Sequence, residues 1–136
     1  MGWIVTQVEE KKEDENYDYL TEPPMLEGPR EDPLWPLIVA ALKEIYDPEI
    51  PVNIYELGLI YGVAIADEKD GVRDVVVKMT LTSPGCPVAQ DMPGWVQGAI
   101  LPIDGVGGVE VDMVWDPPWD PSLMAETAKM QLNMFM

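Results

Sequence analysis

Histidine is absent from this chain of 136 residues, and cysteine occurs once, at Cys86. Without imidazole there is no histidine acid or base, no histidine metal ligand, and no Cys–His nucleophilic pair. A single cysteine cannot close an intrachain disulfide, so nothing points to an oxidising compartment. Positive charge is scarce as well: 8 Lys and Arg stand against 25 Asp and Glu, for a formal net charge of -17. Affinity for nucleic acid rests largely on clustered Lys and Arg, so nucleic acid is excluded as a partner class, and an anionic membrane surface with it. Apolar stretches fall far short of the roughly 20 residues needed to cross a bilayer. The start, Met1-Gly2-Trp3-Ile4-Val5-Thr6, lacks a basic region followed by an apolar core. The expectation is a cytoplasmic protein whose acid excess suits solubility, a basic protein partner or a cation.

What the chain does have is 47% hydrophobic residues, enough for one real core at this length and too little chain for two. Residues 1–32 hold ten acidic and three basic residues, with Pro23, Pro24, Gly28 and Pro29 breaking any period. Such a segment buries too little apolar surface to offset its ordering entropy, which predicts an acidic tail, disordered or extended, dispensable to folding up to about residue 30. Trp3, Ile4, Val5, Tyr17, Tyr19, Leu20 and Met25 are its apolar exceptions. Residues 33–136 form the single expected domain.

Within that domain Leu34, Leu37, Ile38, Ala41, Leu42 and Ile45 recur at helical spacing. Asp32-Pro33 reads as the start of this helix, with Pro36 shifting its regular part later, and Asp47-Pro48 as its stop. Asn53–Gly58 reads as a turn closed by glycine. Leu59–Ala66 and Asp74–Thr82 read as strands joined by a hairpin loop at Asp67–Gly71. A helix over 87–101 is interrupted at Pro93-Gly94, which predicts a kink or two short pieces. A glycine-rich connection spans 102–108, Val109–Val114 alternates as a third strand, Trp115–Pro121 is irregular, and a last helix runs from about Pro121 to Leu132. The order helix-strand-strand-helix-strand-helix predicts an α+β fold, a small two-layer sandwich with helices packed on a mixed sheet of about three strands.

Cys86 sits where the second strand ends and a helix begins, in Thr80-Leu81-Thr82-Ser83-Pro84-Gly85-Cys86-Pro87. A helix N-terminus favours thiolate over thiol, and with it metal ligation or sulfur transfer. The other reading is a buried cysteine acting as a small hydrophobe. Asp47 and Glu49 likewise stand between a helix stop and a functional pair, Trp115 is expected in the core, and Trp119 is left open.

Four runs occur in one order: Tyr46-Asp47-Pro48-Glu49-Ile50-Pro51-Val52-Asn53-Ile54, Leu57-Gly58-Leu59-Ile60-Tyr61, Thr80-Leu81-Thr82 through Gly85-Cys86-Pro87, and Val114-Trp115-Asp116-Pro117-Pro118-Trp119. Together they resemble the family of SufT-like and PaaD-like iron-sulfur cluster assembly factors, over about residues 34–132. The resemblance implies an accessory factor, not an enzyme, that helps assemble iron-sulfur clusters or deliver them to client proteins. It makes Cys86 the functional thiol and a candidate cluster ligand, with Asp47 and Glu49 in the acidic motif and Thr80, Thr82 and Gly85 shaping the loop that presents the thiol. Two departures stand out. Pro93-Gly94 is not expected of the family, and the further C-terminal cysteines expected of PaaD-like members are absent, which favours the SufT-like branch.

An iron-sulfur cluster normally takes four protein ligands, usually thiolates, and this chain has one. The metal site centred on Cys86 is therefore incomplete, no cofactor is expected to be tightly bound, and any iron-sulfur cluster or iron is transient. A homodimer supplies two thiolates. The implied partners are iron-sulfur assembly proteins and client apoproteins. Two rival classes are a cysteine-dependent enzyme, which lacks its usual histidine, and a purely structural adaptor without metal contact.

Overall fold

The structure is a computed structural model that describes residues 21–82 and 89–135. Helix α1 spans Trp35–Leu42, with Pro36 in its first turn, where a missing N–H has no intrahelical partner to lose. Asp32 starts it as expected, its Oδ1 accepting the Leu34 N–H at 2.9 Å. That bond, together with the Arg73 guanidinium at 2.6 Å, holds the Asp32 carboxyl below the ordinary aspartate range. The apolar stripe buries Trp35, Ile38 and Leu42 but leaves Leu37 exposed. The helix ends five residues before Asp47. Glu44 and Ile45 donate to the carbonyls of Ala41 and Leu42 in a tightened last turn, and Ile45 then accepts from Ile54.

Strands β1 (Ile60–Ile65) and β2 (Arg73–Met79) pair antiparallel, and their alternating burial turns Val63, Val75, Val77 and Met79 toward the helices. At the hairpin tip Asp70 and Gly71 both have positive φ, 56° and 84°, between the mutually bonded Lys69 and Val72. This is the primed turn whose twist matches the strands it joins. Strand β3 (Val106–Met113) pairs parallel to β2 on its far side, giving the order β1-β2-β3. It begins within the stretch expected to be a glycine-rich connection. Those glycines permit close approach: a Cβ at Gly107 would stand 2.7 Å from a Val72 methyl, and one at Gly108 3.2 Å from Asp74 Oδ1.

Between β2 and β3 the chain forms a short 3-10 turn, Ala89–Asp91, and then helix α2, Met92–Ile100. The break expected at Pro93-Gly94 is absent: Pro93 lies in the first turn of an unbroken helix, where proline starts a helix and does not kink it. A further 3-10 turn, Pro121–Leu123, precedes helix α3, Glu126–Phe135, so the last regular helix starts later than Pro121. The result is the α+β two-layer arrangement that the element order predicts. Ile38 and Leu42 of α1 and Met92, Val96 and Ile100 of α2 form one buried cluster with the inner face of the sheet.

Residues 1–20 of the acidic tail lie outside the described residues. Its described part, 21–32, runs as a strap along the domain. Leu26 is 4% exposed and joins the core. Glu27 adds one rung to the edge of β1, donating to Tyr61 O at 3.1 Å and accepting from Val63 N–H at 2.9 Å. Arg30 lies over the Trp35 ring, 5.5 Å from its centroid. These contacts speak against this part being dispensable to folding, and truncation tests it. Against a chain beginning at Thr21, a chain beginning at Glu31 is expected to lose about 2–4 kcal/mol, a buried leucine plus two ladder bonds, and to melt several degrees lower. Coincident thermal unfolding curves for the two chains would leave the strap without a structural role.

Candidate functional site

Beyond α1 the chain folds back on itself through Asp47. This residue is 5% exposed, and its Oδ1 accepts the N–H groups of Glu49 at 2.8 Å and Ile50 at 3.0 Å, which closes the turn Asp47-Pro48-Glu49-Ile50. The return leg is fixed by Asp47 N–H to Val52 O at 3.3 Å and Ile54 N–H to Ile45 O at 2.8 Å. The other carboxylate oxygen, Oδ2, accepts the hydroxyl of Thr82 at 3.3 Å. One aspartate thus ties the turn after α1 to the point where the chain leaves β2. Of the residues singled out from the sequence, Asp47 and Thr82 are brought into contact and Thr80 lies two residues before. Glu49 contributes its backbone N–H, while the residue itself is exposed. Gly85 and Cys86 lie outside the described residues; in the sequence Cys86 follows Thr82 by four positions and precedes Ala89 by three.

Thr80 is fully buried, and its backbone N–H donates to Leu59 O at 2.9 Å, but its Oγ1 has no hydrogen-bond partner among the described residues. It lines a cleft of about 360 Å³ together with Leu81, Thr82, Trp115, Pro118 and Trp119. The far wall is the loop after β3, which crosses back over the segment Leu57–Tyr61. Two bonds hold it there: Tyr61 Oη donates to Pro117 O at 2.8 Å, and Trp119 Nε1 donates to Leu57 O at 2.8 Å. Burial, with the negative charge of Asp120 second, pushes the Tyr61 hydroxyl above its usual pKa, so it stays a donor across the neutral range. The Asp116–Pro117 peptide is cis. The expectation that Trp115 lies in the core is overturned, and Trp119, left open by the sequence, is the one that packs. Trp119 packs against the core because its indole N–H finds a carbonyl, whereas Trp115 is 49% exposed.

One buried charge escaped the sequence analysis. Glu56 is 7% exposed, and its carboxylate accepts from Asn53 Nδ2 at 2.9 Å and from the Thr127 hydroxyl of α3. Asn53 Oδ1 in turn accepts the Glu56 N–H at 2.9 Å, and Glu56 O accepts from Ala125 N–H at 2.8 Å. The turn Asn53–Gly58 is therefore the anchor of α3. Its sequence signal was an asparagine followed three residues later by a glutamate, a pairing that reads as local until the partner 71 residues away is known.

Among the described residues, no group of three or more His, Cys, Asp or Glu side chains is placed to hold a metal ion, and no helix is long and apolar enough to cross a membrane. The family model described as iron-sulfur cluster assembly protein matches residues 37–112, from within α1 almost to the end of β3. The chain belongs to the iron-sulfur cluster assembly protein family. Two relatives sharpen the placement within that family. The Fe-S protein maturation auxiliary factor of Porphyromonas gingivalis is 44% identical over 96 residues, 71% of this chain and 88% of its own. The Fe-S protein maturation auxiliary factor SufT of Staphylococcus aureus is 39% identical over 90 residues, 66% of this chain and 98% of its own. The fold of the family is seen in a domain of unknown function from Bacillus anthracis, which superposes with a TM-score of 0.63 at 38% identity, covering 71% of this chain and 89% of that one. The match to the family model spans α1 through β3 and so includes Asp47, Thr80 and Thr82, whereas the loop carrying Trp115 and Trp119 lies beyond it.

Proposed function

We propose that this protein is an accessory factor in iron-sulfur maturation, assembling clusters or delivering them to client apoproteins, and that Cys86 is the thiol through which it acts. The observation that carries the reading is the Thr82–Asp47 hydrogen bond. It fastens the first residue before segment 83–88 to a buried carboxylate from the turn after α1. A segment whose starting point is fixed in this way is suited to present a nucleophilic or ligating group, and the one cysteine of the chain lies in it. The names of the relatives support the same role and speak for an accessory, non-catalytic one.

One thiolate is too little for a conventional cluster, so the cluster is cargo held in transit. Its other positions are filled by the donor assembly protein, the client, or a second copy of this chain. Labile ligation favours release, which a delivery factor needs and a storage protein does not. We place the activity in the cytoplasm, where thiols stay reduced.

The test is rescue of cluster occupancy. In cells lacking this gene, client iron-sulfur enzymes purified anaerobically are expected to carry less iron and sulfide per chain. The wild-type gene should restore them and Cys86→Ser should not, at equal protein level. Full rescue by Cys86→Ser would remove the thiol from the function. Turnover of a small-molecule substrate by the isolated protein, lost in the same variant, would replace the accessory role with an enzymatic one.

A further inference from the structure

The cleft between Thr80–Thr82 and the Trp115–Trp119 loop is built unlike the rest of the surface. Two indoles and a proline line it within a loop that two hydrogen bonds hold in place. The negative face of an indole attracts a cation, and a rigid platform loses little entropy when one settles on it. The chain already uses this contact within itself, with Arg30 over Trp35 and Lys43 over Tyr55, the latter 5.3 Å from the centroid. Trp115 and Trp119 have no such partner among the described residues. Four of the six described cations are engaged elsewhere: Arg30 with Glu22, Arg73 with Asp32, Lys129 with Glu126, and Lys43 on Tyr55.

The described lining of the cleft is uncharged, and carboxylates adjoin it. Asp47 Oδ2 lies 3.3 Å from the Thr82 hydroxyl that lines the cleft. Its carboxylate is satisfied by two backbone N–H groups and that hydroxyl, and among the described residues no Lys or Arg forms an ion pair with it. Asp116 in the tryptophan loop is exposed, and so is Glu49 beside Asp47. At the back wall the buried Thr80 Oγ1 has no hydrogen-bond partner among the described residues. An apolar ligand would leave Thr80 Oγ1 without a partner, and an anion would be repelled by the adjoining carboxylates.

We propose that the cleft receives an arginine side chain from a partner protein, either a client or an assembly component. A guanidinium is planar and weakly hydrated, so it stacks on an indole while its five N–H donors remain free for the Asp47 side and for Thr80 Oγ1; an ammonium offers no plane and gives up its water reluctantly. The proposal rests on the reading of this region as a docking site for iron-sulfur maturation, and its test reads the cleft directly, without any cluster.

The test uses the full chain and blocked tripeptides, acetyl-Gly-Xaa-Gly-amide, followed through the indole N–H resonances of the five tryptophans. With arginine at Xaa, saturable shifts are expected at Trp115 and Trp119, assigned by single Trp→Phe variants, and not at Trp35 or Trp95. Citrulline, the neutral isostere, and leucine are expected to bind about tenfold more weakly or worse, lysine several-fold more weakly, and Trp115→Ala to lose arginine binding by about three- to tenfold. Equal binding of citrulline or leucine would show an apolar pocket and overturn the proposal, as would lysine binding as tightly as arginine. Absence of any shift at saturating peptide would overturn it as well. None of these outcomes depends on whether Cys86→Ser rescues client occupancy, so the two readings stand or fall separately.

Discussion

Replacing Gly58 with alanine is expected to cost about 2–4 kcal/mol and to lower the melting temperature by on the order of 10 °C. Two effects add at this position. Its φ is +86°, a backbone conformation in which an L-residue places Cβ against its own carbonyl, worth roughly 1–2 kcal/mol. A Cβ there would also overlap the backbone carbonyl of Leu123, the residue that closes the 3-10 turn before α3. Backbone moves less readily than the end of a side chain, so the loop from Trp119 to Leu123 must shift, and with it the Trp119–Leu57 hydrogen bond. Gly71 is the control, with nearly the same φ, +84°, and nothing within 4 Å of its would-be Cβ. Gly71→Ala should cost about 1 kcal/mol, the conformational part alone. Thermal melts followed by circular dichroism read the difference. Equal losses at the two sites would mean that the approach of Leu123 to Gly58 carries no energy.

Glu56→Ala is expected to lose a similar amount, about 2–4 kcal/mol, for a different reason. Among the described residues no cation pairs with this buried carboxylate, and it is satisfied by Asn53 Nδ2 from its own turn and the Thr127 hydroxyl from α3. Its removal leaves the Asn53 amide short of an acceptor in a buried turn, a penalty of about 1–3 kcal/mol, and adds the loss of the Thr127 contact to α3. Glu56→Gln keeps the shape and one good acceptor and should lose clearly less. Urea unfolding gives the stabilities, and hydrogen exchange of the α3 amides locates the effect, because an anchor between α3 and the Asn53 turn predicts lost protection there first. If Glu56→Ala matched the wild type, the packing of Met124, Ala128 and Leu132 and the Ala125 N–H bond to the residue-56 carbonyl would be enough to hold α3 to the domain.

Much of this architecture can be read locally. The valine alternation of β2 and the Asp70-Gly71 turn require no distant information, because side-chain period and turn dihedrals are set within a few residues. The proline positions were legible too, but their meaning depended on where each helix began. Pro93 reads as a break in a helix from 87 and as an ordinary first-turn residue in one from Met92. The glycines at 107 and 108 signalled a connection because composition cannot distinguish a flexible link from a strand pressed against its neighbour's side chains.

For the candidate site, the sequence named Asp47, Thr80 and Thr82 through the order of its four runs, and chain order alone gave no reason for them to meet. Only the fold supplies it. Asp47 and Thr82 are 35 residues apart, and they touch because the turn after α1 and the exit of β2 come together, which neither segment encodes by itself. Trp115 and Trp119 are equivalent in sequence, two tryptophans bracketing prolines. In the fold Trp119 reaches Leu57 O and packs, while Trp115 faces solvent. Composition by itself determined that this chain has no histidine chemistry and no intrachain disulfide, since these need residues that are not there. The tertiary structure decided where the remaining charges act, because a carboxylate such as Glu56 is a solvated side chain or a structural anchor according to the donors that the fold brings to it.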